Sequence, residues 1–426
     1  MNAGVMFLIF VVLMLIGIPI AFCLGLASMA YIWANGLVLS MVPQKMTTSL
    51  ESFVFIALPL FILAGDIMNT GGITQKLVNI SKALVGHFKG GLAYVNVVVS
   101  MLFGGIQGMA AADTVAIGGL LIPAMKKEGY RVDFATAITV ASSTIGAVIP
   151  PSFLFIIFGA VTGMSVATIF IGGLLPGILL GLLQIGYIYY LAHSKRNAGT
   201  IPDGEKIPLR QAVRYLLEGA PTLVLPLIIM GGICTGIVTT TESAVLAVVY
   251  ALIYCLVTKE SDFKKLGKVF WNSAQTCGSS MIILCTSSLF GYILTAERIP
   301  EAVVRLLLNI SDNRIVLLLI INVFLLIVGT FMDGTPAIMI LAPILLPVMM
   351  DLGLEPVNCA IVICFNLIIG MITPPVGVCL FLATGISKLT IEEISKAVLP
   401  LICISIAELL LITFVPFFTT WLPSLL

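Results

Sequence analysis

Ionisable residues are scarce in this sequence of 426 residues. Only 10% are Asp, Glu, Lys or Arg and 60% are hydrophobic, whereas a soluble domain carries roughly 25% charged residues. With a mean hydropathy of +1.17, a soluble fold is excluded. Histidine is almost missing: His87 and His193 are the only two, and both lie at the ends of apolar runs, which argues against a His-based catalytic triad or metal cluster. The nine cysteines form no Cys-x-x-Cys pair, and Cys285, Cys364 and Cys379 sit inside apolar runs as small hydrophobes. No run of Lys or Arg marks a nucleic-acid partner, and the net charge of +1 points to none. The first residues carry no basic stretch ahead of their apolar run, so this end reads as a retained membrane helix rather than a cleaved signal.

What remains is long, continuous apolar sequence. Each crossing of a bilayer needs ~20 apolar residues as helix, and the runs suffice for about ten membrane-embedded segments. A β-barrel would instead show ~10-residue alternating strands. The segments run from Val5 to Trp33, Phe53 to Met68, Leu92 to Met125, Phe134 to Gly163, Ile169 to Ala192, Gly219 to Val257 and Ser273 to Thr295. Three more follow, Ile315 to Met350, Pro356 to Ile386 and Ala397 to Leu422. Whether Val5 to Trp33 and Gly219 to Val257 are one helix or two is left open at this level. Trp33, Trp271 and Trp421 fall near segment ends, as interfacial anchors do. The expected class is an all-α, polytopic membrane protein in contact with lipid.

The longest polar stretch, His193 to Glu218, divides the chain nearly in half. Sliding the chain on itself by 224 residues places Gly105 on Gly329, Pro123 on Pro347, Gly146 on Gly370, and Pro150-Pro151 on Pro374-Pro375. The duplicated core is IGAVIPP against IGMITPP, and upstream Asn96 matches Asn322 at an offset of 226. Fixed-period self-similarity of this kind marks an internal repeat. Lys126, Lys127 and Arg131 follow the first Pro123, whereas Asp351 and Glu355 follow the equivalent Pro347. Basic loops stay in the cytoplasm, so the copies are expected in inverted topology. The net basic stretches His193 to Glu218 and Lys259 to Lys268 are expected inside too, while Arg298, Arg305 and Arg314 are balanced by Glu297, Glu301 and Asp312. The predicted organisation is a first repeat over 1–192, a cytoplasmic connector over 193–218 and a second repeat over 219–426. Each repeat holds a re-entrant helical hairpin, at about 92–126 and 315–350. Each also holds a discontinuous helix, at about 132–163 and 356–386.

Two consecutive prolines remove backbone donors and push the preceding residue out of helix. Ser143 to Pro150 and Leu367 to Pro374 are therefore expected to be unwound, which a bilayer tolerates only around a cavity or inside protein. Such a break offers carbonyls to a cation and N–H groups to an anion. The expected cation ligands, chosen to suit sodium, are Gly104, Gly105, Ser142, Ser143, Thr144, Gly146, Val148 and Pro150 in the first copy. Gly329, Thr330, Asn366, Gly370, Thr373 and Gly377 are their counterparts in the second. Gly104-Gly105 and Gly329-Thr330 are taken as the hairpin tips. The plain alternative is that these hydroxyls satisfy their own helices and the prolines are kinks. A substrate site between the two cages is expected at Gln107, Pro151, Ser152, Asp333, Thr335 and Pro375. No Lys or Arg falls within the apolar segments, so bound cations and half-helix N-termini must neutralise an anion. Acids inside apolar runs are functional candidates: Asp66, Asp113, Glu242, Asp333 and Glu408. Of these, Asp113 and Asp333 are read first as caps of the returning half-helices, Asp66 and Glu242 as interfacial, and Glu408 has no assigned role.

These motifs resemble those of a known family. LPLFILAGDIM from Leu58, AADTVAIGGLLIPAMKKEGY, FATAITVASSTIGAVIPPS and TTTESAVLAVVYAL are similar to the large membrane (M) subunit of tripartite ATP-independent periplasmic (TRAP) transporters, in order along essentially the whole chain. The resemblance implies an ion-transporter-superfamily fold with a scaffold and a moving transport domain, working as an elevator in the bacterial inner membrane. It also implies sodium-coupled uptake of an organic acid, a C4-dicarboxylate or a sugar acid such as sialic acid. Its partners would be a soluble periplasmic substrate-binding protein and a small four-helix membrane subunit, expected as a separate chain. No cofactor is implied beyond sodium as coupling ion. One departure stands out: where many relatives have a Ser-rich first tip, this chain has Gln107-Gly108-Met109-Ala110, which leaves mainly carbonyls there. Competing readings are a self-sufficient dicarboxylate or citrate symporter of the same superfamily and an ion channel. A channel filter more usually comes from a ring of identical subunits, and a membrane-embedded enzyme fits worst with two histidines.

Overall fold

A computed structural model describes residues 2–51, 53–194, 201–204, 207–258, 263–299, 302, 305, 311 and 313–425. Among these the chain is helical, with no strand. Its helices are α1 Ala3–Leu15, α2 Ile20–Ala34, α3 Met41–Leu50, α4 Phe53–Thr70, α5 Ile73–Val85, α6 Gly91–Gln107, α7 Ala110–Lys127, α8 Val132–Val148, α9 Phe153–Thr162 and α10 Val166–His193. The second half holds α11 Leu209–Cys234, α12 Thr240–Thr258, α13 Phe263–Ala296, α14 Arg314–Phe331, α15 Gly334–Asp351, α16 Pro356–Gly370, α17 Val378–Ser387, α18 Ile391–Phe414 and α19 Phe417–Thr420. Seven described helices are long and apolar enough to cross a membrane, or up to nine if each of two bent pairs is one span. The run from Val5 to Trp33 is two helices, and so is that from Gly219 to Val257. The breaks fall at Gly17, with φ of 91°, and at Gly236, with φ of 69°, a conformation that side chains disfavour. Parts of the basic stretches, 195–200, 205–206 and 259–262, lie outside the described residues, as do Glu301 and Asp312.

Burial sorts the helices into an inner and an outer set. From Ala135 to Val148 and from Asn358 to Gly370, α8 and α16 are buried on every side, as expected of helices apolar all round. α6, α7, α10 and α18 pack on α8, while α14, α15 and α18 pack on α16. The outer helices leave large apolar side chains uncovered, among them Leu209, Leu217, Leu227 and Ile237 on and after α11 and Val257 on α12, the surface a bilayer or a membrane partner would cover. A second, smaller apolar cluster joins Met6, Phe10, Leu24 and Tyr31 of α1 and α2 to Phe290 of α13 and to Ile340 and Ile344 of α15. The Tyr31 hydroxyl donates to Glu297 there.

The two halves share one element order: a helix pair joined by two residues, then a helix interrupted before its last turns. α6 and α7 are joined by Gly108 and Met109, and α14 and α15 by Met332 and Asp333. The interrupted helices are α8 with α9, bent by 40°, and α16 with α17. The halves exchange their distal pieces. α9 packs against α15 and α16 of the second half, and α17 against α7 and α8 of the first.

Candidate functional site

The unwound stretches are shorter than the sequence predicts. Helix persists through Ser143 and Thr144 to Val148, and through Leu367 to Gly370; only 149–152 and 371–377 lie outside it. A proline withdraws only its own N–H, so residues upstream keep their helical bonds, Ile149 N–H still donating to Ile145 O at 2.9 Å. Ahead of the prolines the constraint on a pre-proline residue reaches Ile149, extended at φ −68° and ψ 126°, and not the helical residues before it. Both Pro-Pro peptides are cis. In the second copy short-range bonds carry the chain on from Gly370: Ile372 N–H donates to Ile369 O and Thr373 N–H to Gly370 O.

The hairpin tips also sit further along than expected. Gly104-Gly105 and Gly329-Thr330 lie in the last turns of α6 and α14; the tips themselves are Gly108-Met109 and Met332-Asp333. Gly104, Gly105 and Gly329 serve close approach instead. A Cβ on Gly104 would lie 2.7 Å from Gly146 Cα, and one on Gly370 would lie 2.4 Å from the Gly329 carbonyl carbon. Gly105 meets Pro226 of α11 instead, at 2.9 Å from the same imaginary atom. Each α6-like helix thus touches the broken helix of its own half backbone to backbone, just before the break. Gly108, with φ of 62°, seats its tip directly on the first break: Phe153 N–H donates to Gly108 O at 3.1 Å. A Cβ at Gly108 would fall 1.7 Å from Pro151 O, so no other residue fits. In the second half Gly377 N–H donates to Thr330 O at 3.3 Å.

Beside the first glycine contact lies a buried polar chain. Asn96 Nδ2 donates to Thr139 Oγ1 at 2.6 Å, and Ser142 Oγ donates to Asn96 Oδ1 at 3.0 Å. The Ser100 hydroxyl reaches Ser142 Oγ at 3.0 Å and Asp113 Oδ1 at 3.2 Å. The other Asp113 oxygen has no protein partner and sits 2.5 Å from where a Gly146 Cβ would be. Asp113 is therefore no cap. It is the fourth residue of α7, its side chain 1% exposed and turned inward, because a first-turn position on this helix faces α8 rather than the free N–H groups. The second half repeats the arrangement without the acid. Asn366 Nδ2 donates to Asn322 Oδ1 at 2.7 Å, Asn322 Nδ2 reaches Thr413 Oγ1 at 3.4 Å, and Asn366 Oδ1 lacks a partner. Ser142 and Asn366, and Asn96 and Asn322, are the pairs matched in sequence.

Among the remaining candidates, Ser143, Thr144 and Thr330 donate to the carbonyls of Val140, Ala141 and Ile327 in their own helices, and Thr373, within the second break, donates to Ile369 O at the end of α16. Their oxygens keep lone pairs, which is what a cation uses. Asp333 is the cap the sequence predicts, accepting from Thr335 N–H at 3.4 Å. Glu242 accepts from Thr239 at the start of α12, and Asp66 from Ser273 Oγ at 2.6 Å. Glu408 is 1% exposed with both oxygens lacking protein partners. Gln107 Oε1 and the Ser152 hydroxyl are also buried without partners. Residues from both halves close a small cavity of about 50 Å³: Met109 and Ala147 of the first, Asp333, Thr335 and Met371 of the second, and Leu154 from the exchanged α9. Pro375 and Val376 are exposed, while the first break is buried throughout. Ser100 and Asn322 are the residues of this polar cluster that the sequence did not single out as candidates; Asp113 was a candidate as an acid within an apolar run, read first as a cap.

Two helix hairpins, each seated against an interrupted helix of its own half, in a bundle with seven or more described helices long and apolar enough to cross a membrane, define a polytopic helical membrane protein. The family model described as "Tripartite ATP-independent periplasmic transporter, DctM component" matches residues 7–418. The chain is 40% identical to YgiK of Salmonella typhimurium, covering 99% of this chain and 97% of that one. It is 33% identical to the C4-dicarboxylate TRAP transporter large permease protein DctM of Vibrio cholerae, over 100% of this chain and 98% of that one. Identity to the isethionate TRAP transporter permease protein DctMQ of Oleidesulfovibrio alaskensis is 39% over 97% of this chain, which spans only 65% of that longer protein. In three dimensions it is similar to the YdaH transporter of Alcanivorax borkumensis, with a TM-score of 0.62 over 88% of this chain and 86% of that one at 13% identity, which shows the shared fold. The chain belongs to the DctM family, the large permease subunits of TRAP transporters, and is a multi-pass protein of the inner membrane.

Proposed function

We propose that this subunit imports an organic acid by sodium-coupled, binding-protein-dependent transport, the two hairpins and two broken helices moving together as an elevator. The observation that carries the reading is the small cavity closed by Met109, Asp333, Thr335, Ala147 and Met371. It lies where the N-terminal ends of α7, α9 and α15 and the C-terminal ends of α8 and α16 converge. Half-helix N-termini favour an anion and unwound carbonyls a cation, so a carboxylate or sulfonate between two bound sodium ions is neutralised without a buried Lys or Arg. The first sodium would take the carbonyls around Gly104, Gly146, Val148 and Pro150, with Ser142 and Asp113 as side-chain neighbours. The second would take Gly329, Gly370, Thr373, Gly377 and Asn366. Inverted topology follows from the basic loop after α7 and the acidic one after α15; the hairpins would then enter from opposite faces as re-entrant pairs.

A periplasmic binding protein and a small membrane subunit complete the transporter in this reading. The two-part name of the longer DctMQ relative, of which this chain spans 65%, supports the second partner, and the uncovered apolar surface of α11 supplies area for it. A C4-dicarboxylate, a sugar acid such as sialic acid or a small sulfonate all fit the chemistry. The test is uptake into proteoliposomes holding the chain, its small subunit and the cognate binding protein, against a panel of these acids. Uptake of one acid that needs both partners and stops when choline replaces sodium is the expected result. Uptake unchanged in choline overturns the coupling.

A further inference from the structure

We infer a second anion site, a cleft between α3, α9, α13 and α15 that holds the organic acid on Lys45 before it reaches the hairpin tips. The cleft measures about 440 Å³, within the ~300–1,000 Å³ usual for small-molecule sites. Lys45 supplies its charge. The ammonium sits 4.2 Å from the centroid of the Tyr292 ring, an arrangement that holds a cation in place. Among the described residues, none forms an ion pair with Lys45 and no Asp or Glu lines the cleft. A second donor points the same way. Ser287 on α13 is 2% exposed and its hydroxyl has no protein partner, a costly state that an acceptor in the cleft relieves. Ser288 and the Tyr292 ring complete this wall. A lysine, one unsatisfied hydroxyl and no carboxylate among the described lining residues select an anion of small-molecule size.

Position gives the site its role. The opposite wall is Ala160 and Val161 of α9 with Met339 and Pro343 of α15. Leu154 and Asp333, at the other ends of those segments, border the small cavity at the hairpin tips. From Leu154 to Ala160 and from Asp333 to Met339 is one and two-thirds turns, about 9 Å along each helix. Both helices thus run from one cavity to the other. The inference rests on the organic-acid reading above, and the same chemistry would serve an anionic lipid headgroup, which the experiment separates.

Ser288→Cys in the full chain, reconstituted in phosphatidylcholine nanodiscs, is labelled with anionic and cationic methanethiosulfonates and compared with the unsubstituted chain. The expected anion-over-cation rate ratio falls at least about fivefold on adding Lys45→Gln and returns with Lys45→Arg, as a single nearby charge requires. Succinate, isethionate or sialic acid should slow labelling while Lys45 is present and lose that protection with Lys45→Gln. A ratio indifferent to Lys45→Gln overturns the site. Protection by added phosphatidylglycerol with none by the three acids overturns its role as a staging point. Because the labelling ratio needs no transport, failure of uptake would refute the functional reading without deciding this one.

Discussion

The two halves build the same contact from different chemistry. In the first, Gly104 meets Gly146 beside a buried carboxylate, and the break is short, 149–152, and shut off from solvent. In the second, Gly329 meets Gly370 beside two amides, and the break is longer, 371–377, with Pro375 and Val376 exposed. An acid in a low-dielectric interior is costly unless a cation or proton accompanies it, whereas amides need only hydrogen bonds. The first half therefore holds an acid that needs a cation or a proton beside it, and the second holds amides that need neither, at a break exposed at Pro375 and Val376.

The comparison breaks most easily at Asp113. Asp113→Asn removes the carboxylate at the first contact, and sodium half-saturation of uptake should rise by roughly 100-fold to a few thousandfold, as loss of one buried partner costs about 3–5 kcal/mol; Asn366→Ala in the second half should do much less. Gly104→Ala comes next. Its methyl would sit 2.7 Å from Gly146 Cα, against 3.1 Å from Gly370 Cα for Gly329→Ala. Overpacking costs about 1–3 kcal/mol, so thermal unfolding should drop more for Gly104→Ala, and equal drops would erase the asymmetry. Asn366→Ala should cost about 1–2 kcal/mol, the value of a buried bond to Asn322, and Asn322→Ala should not add fully to it. The smallest effect is expected at Asp333, whose cap on α15 is worth about 1 kcal/mol; Asp333→Ser should restore stability, and if it also restores uptake, Asp333 acts through the cap and not on the substrate.

Much of this arrangement is legible in the sequence because it is written in glycine and proline. Pro150-Pro151 and Pro374-Pro375 locate both breaks, the matched Gly146 and Gly370 fall at both contacts although Gly105, matched to Gly329, meets Pro226 instead, and Asp333 ahead of Gly-Thr-Pro reads correctly as a cap. The extent of the breaks does not follow from the prolines, since a proline releases carbonyls one turn back without unwinding the residues between. Asp113 fails for a different reason: an acid in the first turn of a helix looks the same whether it faces its own N–H groups or a neighbouring helix. The Lys45 cleft is beyond local reading altogether. It joins residues of α3 to residues of α13 some two hundred positions away, and Lys45 lies between the apolar runs, where a search for buried cations does not look.

In the proposed mechanism a cation binds the first half through a site charged by Asp113. The direct measurement is the melting temperature of the purified protein in sodium and in choline at equal ionic strength, for the unsubstituted chain, Asp113→Asn and Asn366→Ala. Ligand that binds only the folded state raises stability by mass action. The account predicts a sodium-specific rise that Asp113→Asn removes for the most part and Asn366→Ala reduces only in part. A melting temperature that does not change between the two salts, or a rise that Asp113→Asn leaves intact, would contradict it.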